Sequence, residues 1–476
     1  MTTLVIFGAY LVVTVLIGVW AARRGADDQE DYFLAGRKVS AFAMALSAVS
    51  SGRSAWLVLG ATGLAWQQGW SALWLFPGYI LAEALMFATI GPRLRARSVE
   101  VGAVTVPEVL ARAPLASPGS RLPRLVQAIA GLAIIAFLLT YVSAQLVAGA
   151  KTLDTLFDID GKTWGLVLTA GIVLVYTLLG GYRAVVVTDV VQALLMLAGL
   201  LLLPALGLVK VGGFEAMQEG LRALDPGLLE LNRGGLAILG GFAIGLGSLG
   251  NPHILVRHMS LDDEAEARSA LAYGTLWNVV MAAGALLLGL VGRVLYPELA
   301  DLGDSGREAL YPVLASSLSE TYLFAGFVGF LLATLFAAIM STCDSQLLVI
   351  ASSALRDLLP GRGGRGGLLA SRLAVTATLV GAVWMTFGES PLVNNLVLLS
   401  WFALGVGFGP AILLLLYDRR TSAAGVLAGV LTGVLGVAAV WYVLLRPTGG
   451  HVSWEGGLVF LAALAVTWAL RSRAPQ

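Results

Sequence analysis

The chain has 476 residues, of which 58% are hydrophobic and 12% charged, with a formal net charge of +1 and a mean hydropathy of +0.85. A soluble domain carries roughly 25% charged residues, so the composition excludes a soluble globular protein, and without a basic tract nothing points to nucleic acid. Cys343 is the only cysteine, which excludes a disulfide within one chain.

Apolar stretches of about 20 residues, each enough to cross a bilayer, recur along the whole length. They predict an all-α polytopic membrane protein of about thirteen spans. The first runs from Leu4 to Ala22. No basic segment precedes it, its apolar run is too long for a secretory signal, and Arg23-Arg24 follow, so it reads as an uncleaved span. The second runs from about Val39 to Trp66 and contains Ser50-Ser51-Gly52-Arg53-Ser54. Gly52 weakens a helix there, the serines compete for backbone hydrogen bonds, and the Arg53 charge is expensive at mid-membrane. Irregular backbone at that depth is tolerated where it lines a cavity, and secondary transporters build binding sites on such discontinuous helices.

Further spans begin near Trp70, Val126, Trp164, Val185, Gly234, Leu271, Tyr322, Leu369, Leu392, Ala423 and Ser453. Those near Val126, Leu271 and Tyr322 exceed the bilayer requirement, which predicts tilt or protrusion. The longest connections, about 91–123, 209–232 and 297–320, leave no room for a soluble domain. Residues 1–476 therefore read as one membrane domain.

Basic residues set the orientation. With the N-terminus outside, one set of loops carries most of the arginines, among them Arg23, Arg24, Arg37, Arg93, Arg95, Arg97, Arg257 and Arg420. The other set carries few, such as Lys151, Lys210 and Arg307. The positive-inside rule then predicts an integral protein of a bacterial-type plasma membrane, N-terminus outside and C-terminus cytoplasmic. The Gly-rich basic stretch at Arg362 and Arg365 reads as a cytoplasmic turn. The acidic runs at Asp27-Asp28 and Asp262-Asp263-Glu264 read as solvated loop charge.

Polar groups in the later spans single themselves out. Asn251-Pro252-His253 reads as the break or end of the seventh span, with His253 a weaker reading as a proton relay. Helical spacing puts Ser341, Asp344 and Ser345 on one face. Hydroxyls and a carboxylate converging there are hard oxygen donors for a small dehydrated cation. Serines can also bond back to their own helix, but a mid-membrane carboxylate is a functional signal. Glu83 and Glu389 are lone acids of undetermined depth. The three histidines, His253, His258 and His451, fit no catalytic pattern, and no metal motif or phosphate loop is present. No enzyme activity and no cofactor are expected.

Several of these residues belong to a pattern. Asp31-Tyr-Phe-Leu-Ala-Gly-Arg37 with Ala45-Leu-Ser-Ala48, Tyr176-Thr-Leu-Leu-Gly-Gly-Tyr-Arg-Ala184 with Thr188-Asp189 and Gln192, and Gly250-Asn-Pro-His-Ile-Leu-Val-Arg257 are three parts of it. Phe336-Ala-Ala-Ile-Met-Ser-Thr342 with Ser345-Gln-Leu-Leu-Val349, and Asn394-Asn395 through Trp401 with Gly407-Phe-Gly-Pro410, complete it. Together they resemble the sodium/solute symporter family, closest to its bacterial sodium/proline branch, collinearly over nearly the whole chain. The resemblance implies two inverted five-helix repeats with broken first and sixth core helices. These would span 39–208 and 233–418, preceded by an extra helix and loop (1–38) and followed by two C-terminal helices (421–476).

The resemblance also implies a site. The Ser341 and Thr342 hydroxyls, with carbonyls of Ala338, Ser50 and Arg53, would ligate the main sodium ion. Asp189, Asp344 and Ser345 would support a second cation. Ser51, Gly52, Arg53, Trp56, Tyr141, Ile244 and Ser248 form the expected substrate-binding set. Two departures stand out. Gly52 aligns where proline symporters carry an aspartate, and Arg53 follows it. Arg53 can meet a substrate or gate it, replace sodium, or pair with Asp344, Asp189 or Glu83, because an unpaired buried charge is too costly. Ile244 and Ser248 stand where the branch has Trp and Tyr, leaving Trp56 and Trp401 as other sources of aromatic surface.

The expected function is cation-coupled symport, taken as sodium, of a small organic solute such as proline, by alternating access. A sodium-independent or proton-coupled carrier, with Arg53 in place of the cation, stays open. So does a membrane sensor with a transporter-like input domain, although no output module follows the last span. The expected partners are the solute, sodium and the lipid bilayer, with no obligate protein partner.

Overall fold

The computed structural model describes residues 2–23, 29–157, 160–232, 234–322, 327–359, 367–387, 393–448 and 452–472. The loop at Arg362 and Arg365, the acids Asp27, Asp28 and Glu389, and His451 lie outside the described residues. In chain order the principal helices are α1 (Thr2–Arg23), α2 (Ala41–Ala55), α3 (Thr62–Gln68), α4 (Leu75–Leu85), α5 (Leu122–Phe157), α6 (Leu166–Val211), α7 (Gly235–Ser248) and α8 (Pro252–Met259). They continue as α9 (Ala267–Leu295), α10 (Asp304–Tyr322), α11 (Phe327–Ser352), α12 (Gly367–Met385), α13 (Val393–Tyr417), α14 (Ala423–Ala439) and α15 (Trp454–Ala469). Among the described residues, β-pairing is limited to two isolated bridges, Val39 with Leu261 and Leu115 with Ser422.

Eight helical stretches are long and apolar enough to cross a membrane, or nine if the bent α7–α8 pair is one span. The thirteen-span expectation is not reached on this measure, for two reasons. Ala41–Glu100 forms one helical run of 60 residues, and three apolar helices, Thr163–Val175, Leu369–Met385 and Trp454–Ala469, fall below 18 residues. The α5 helix, 36 residues long, is about 54 Å at 1.5 Å per residue, well beyond a hydrocarbon core of about 30 Å.

Burial separates the centre from the rim. The apolar windows of α11 and α13 are 89% buried and that of α1 only 28%, so α11 and α13 are central and α1 lies against lipid. The α1 helix packs on α6 and α11, and the α14–α15 pair packs on α13.

Lipid chains are as apolar as leucine, so helix association here depends on close packing and interhelical polar contacts. The α4–α7 contact shows the first. A Cβ on Gly245 would lie 2.1 Å from the Gly78 carbonyl oxygen, and one on Gly241 would lie 2.1 Å from that of Trp74. Only glycine lets these backbones approach so closely. Gly181 does different work: its φ of 61° divides α6 into two arms against the Tyr32 ring. The polar contacts gather at the centre.

Candidate functional site

The site is built around a break in α2. Ser40 caps this helix by accepting the Ala43 N–H. The helix was expected to fail across Ser50–Ser54, yet it continues through Gly52 and Arg53 and breaks at Ser54, with φ 48° and ψ −170°. A non-glycine residue in this essentially glycine-only region costs roughly 1–3 kcal/mol, and three contacts hold this one in place. Ser54 Oγ accepts the Trp56 N–H at 3.0 Å and the Tyr141 hydroxyl at 3.2 Å, while Gln145 Oε1 accepts the Ala55 N–H at 3.0 Å. The serine supplies its own compensation where glycine would have offered only freedom.

One turn earlier, α2 crosses α11. Ser341 Oγ donates toward the Ala338 carbonyl at 3.2 Å and the Ser50 carbonyl at 3.5 Å. Thr342 Oγ1 reaches the same Ala338 carbonyl at 3.2 Å and the Ser51 carbonyl at 3.1 Å. Two hydroxyls and three carbonyls thus converge between the helices, all on fully buried residues. Of the expected set, Ser341, Thr342, Ala338 and Ser50 come together. The Ser51 carbonyl joins them, whereas the Arg53 carbonyl accepts the Trp56 N–H instead. Asp344 Oδ1 accepts the Ser345 N–H at 2.6 Å and the Ser345 hydroxyl at 3.1 Å. Cys343, between Thr342 and Asp344, is buried.

Next to this cluster sits an arginine that the positive-inside count assigned to a cytoplasmic loop. Arg257 of α8 is 1% exposed. Its Nη2 donates to Asp189 Oδ2 at 2.8 Å and its Nε to Ser47 Oγ at 2.8 Å. The same Nη2 contacts the hydroxyls of Ser51 and Ser345, and Nη1 reaches the His253 carbonyl. Ser47 Oγ in turn donates to Asp189 Oδ2. Asp189 and Ser345 therefore do come together, on a guanidinium.

Arg53 belongs to a second buried ion pair. It bonds to Glu83 of α4, donates from Nε to Asn278 Oδ1 of α9 at 3.0 Å, and stacks 3.7 Å over the Tyr79 ring. Asn278 Nδ2 donates to Glu83 Oε2 at 2.7 Å, and Ser248 Oγ donates to Glu83 Oε1 at 3.3 Å. Four helices, α2, α4, α7 and α9, meet in this cluster. It engages Ser248, and a Cβ on Gly52 would lie 3.4 Å from Glu83 Oε1. Those two members of the expected substrate set face the ion pair.

Of the remaining members, Ser51 lies with Arg257, Trp56 and Tyr141 bond to Ser54 at the break, and Ile244 meets Trp401. Tyr141 and Trp401 both approach the buried His253 edge-on, with ring centroids at 5.9 and 6.3 Å. Trp401 Nε1 donates to the Ile244 carbonyl at 2.8 Å, and Trp56 Nε1 donates to Asn394 Oδ1 at 3.0 Å. At the α7–α8 bend of 50°, Asn251 Nδ2 caps the Gly247 carbonyl at 2.8 Å and reaches the Trp401 carbonyl at 3.0 Å. That satisfies an acceptor which a helix end otherwise leaves open. Asn251 Oδ1, Gln145 Nε2 and Ser400 Oγ are buried without a hydrogen-bond partner. Buried polar atoms without partners beside aromatic rings are what a small polar solute would satisfy.

Sequence reasoning missed Ser54, Gln145, Asn278 and Arg257 as members of the site. Gln145 and Asn278 carried a usable signal, since each is an amide set deep within an apolar run. Among the described residues no group of three or more His, Cys, Asp and Glu side chains could hold a metal ion. The oxygen donors here are hydroxyls, carbonyls and isolated carboxylates, a set for a hard cation rather than a soft one.

Residues 32–433 match the family described as the Sodium:solute symporter family. The osmoregulated proline transporter OpuE of Bacillus subtilis is 33% identical over 466 residues, covering 96% of this chain and 92% of that protein. Sodium/proline symporter 2 of Staphylococcus saprophyticus is 32% identical over 452 residues, covering 92% of this chain and 85% of its own. Among solved structures, a Na+-coupled sialic acid symporter in a substrate-bound outward-open state aligns with a TM-score of 0.79 at 18% identity, covering 98% of this chain and 97% of that one. MhsT in complex with L-phenylalanine aligns with a TM-score of 0.54 at 16% identity, covering 91% and 98%. At these identities the structural likeness shows a shared fold.

Proposed function

The chain belongs to the sodium:solute symporter family, and from that premise we propose that it is a secondary active transporter coupling sodium entry to uptake of proline. The carrying observation is the convergence of Ser341 Oγ, Thr342 Oγ1 and the carbonyls of Ala338, Ser50 and Ser51 where α11 crosses α2. A sodium ion bound there bridges two helices. It would favour the arrangement in which solute binds beside the Ser54 break, and release of both would follow rocking of the helices to the inside. The solute is carried across unchanged.

Proline as the solute is supported by the relatives, which are named as proline transporters. It is also supported by the ring surface of Tyr141, Trp401 and His253 next to the break. Trp401 is bonded to the Ile244 backbone, so it can supply the wall that the Ile244 side chain does not. Engagement of Arg53 by Glu83 and Asn278 supports a positional role over replacement of the cation.

The membrane arrangement of this reading has thirteen crossings. Counting Ala41–Glu100 as two, because 60 helical residues would extend about 90 Å, and adding the bent pair and the three shorter apolar helices supports that number. The two inverted repeats, an outside N-terminus and a cytoplasmic C-terminus complete it. Setting aside the buried Arg37 and Arg257 leaves the asymmetry of basic loops standing.

Uptake into proteoliposomes tests the function. An inward sodium gradient is expected to drive accumulation of labelled proline above equilibrium, with unlabelled proline the strongest competitor in a panel of amino and organic acids. A proton gradient alone is expected to drive none. Accumulation that is unchanged without sodium would overturn the coupling, and competition by a different solute would overturn the substrate.

A further inference from the structure

Arg257 holds a cage that would otherwise suit a cation. Its guanidinium lies among Asp189 Oδ2 and the hydroxyls of Ser47, Ser51 and Ser345, contributed by α2, α6 and α11. A carboxylate and converging hydroxyls form a hard-oxygen set for a small monovalent ion. All four residues, like Arg257 itself, are buried, with exposures of 2% or less. The cage adjoins the proposed sodium site directly, since Ser51 supplies its hydroxyl to one cluster and its carbonyl to the other. Ser345 Oγ likewise donates to the Ser341 carbonyl at 2.9 Å.

We propose that Arg257 is the resident cation of this second oxygen cage, so that the protein binds one sodium ion where its oxygen ligands could hold two. The inference rests on the sodium-coupled reading above. The physical case is occupancy and charge. Nη2 contacts Asp189 Oδ2 and the Ser51 and Ser345 hydroxyls, Nε contacts the Ser47 hydroxyl, and the guanidinium neutralises the carboxylate that would make binding of a second ion there favourable. A sodium ion added to the cage would share Asp189 Oδ2 with a guanidinium inside a poorly polarisable interior, where like charges repel strongly. Asp189 Oδ1 has no hydrogen-bond partner, so the carboxylate keeps an acceptor to offer once the arginine is gone. A neutral side chain at 257 removes both obstacles. A cation covalently part of the chain also differs from a bound ion in one respect: it cannot be released, so it adds no driving force from the sodium gradient.

Equilibrium binding of radioactive sodium to the purified full chain in detergent tests this, with thermal unfolding as the check on folding. The wild type is expected to bind one ion per chain, Arg257→Gln two, and the Arg257→Gln/Asp189→Asn double variant one. Sodium dependence of uptake should show a Hill coefficient near 1 for the wild type. A folded Arg257→Gln that still binds one ion overturns the proposal. Asp189→Asn in the wild-type background decides the matter if Arg257→Gln does not fold. The sodium count stays at one if Arg257 fills the cage, and a fall from two to one overturns the idea. A wild type that binds no sodium overturns the coupling reading instead, and a gain of one ion in Arg257→Gln would then still uphold the cage.

Discussion

Glu83→Ala is expected to destabilise the purified protein by about 3–5 kcal/mol, the cost of stranding a buried charge. Arg53 and Glu83 are 1% and 3% exposed at the side chain, so water cannot replace the lost carboxylate. What remains to Arg53 is the Asn278 carbonyl oxygen and the Tyr79 ring face. A desolvated cation–π contact is worth around 2 kcal/mol, too little to offset the stranded charge. The expected sign reverses when both partners go. Arg53→Met/Glu83→Leu should recover most of the loss, since apolar replacements of a buried pair are often neutral. Thermal unfolding in detergent, with the two single variants and the double, measures this as a coupling energy. If Glu83→Ala is no less stable than the double variant, Arg53 has found solvent and the cluster is not the closed clasp described.

Ser341→Ala and Thr342→Ala are each expected to raise the sodium concentration for half-maximal uptake by tenfold to a hundredfold. A polar contact to a charged group is worth about 1.5–3 kcal/mol, and each 1.4 kcal/mol is a factor of ten in affinity. Each variant removes one hydroxyl from the five converging oxygens. The pair together should abolish sodium-driven accumulation at physiological gradients. Stability should change by only about 1 kcal/mol for each, because each hydroxyl shares its proton between the Ala338 carbonyl of its own helix and one carbonyl of α2. Uptake kinetics against sodium concentration, with protein amount held constant, checks the shift. Unaltered half-saturation in both single variants would move the ion elsewhere.

Much of this was legible beforehand. Hydropathy pointed to the membrane class, and helical spacing put Ser341 and Ser345 on the one face of α11 that meets Ser51, because both are local properties of one helix. Arg257 was misplaced for the complementary reason. Sequence position puts it at the end of a span, where arginines gather in cytoplasmic loops. Only packing shows the short α8 helix folded inward onto Asp189. The Ser54 break was shifted by the same kind of effect. Gly52 looked like the weak point, but partners from α5, Tyr141 and Gln145, decide which residue leaves the helix. The Glu83 partnership of Arg53 was among the options, and choosing it required knowing that α4 approaches α2. Such pairings are separated by tens to hundreds of residues, and no periodicity encodes them.

Cys343 gives the protein a built-in reporter. The only thiol in the chain lies in the same turn as the residues proposed to ligate sodium, with no exposed surface. A maleimide can reach it only when water enters that layer, so its alkylation rate is a clock for opening. Every other position is naturally thiol-free. Probes introduced along the solute path therefore need no altered background, and a Cys343→Ala chain separates their signal from the native one.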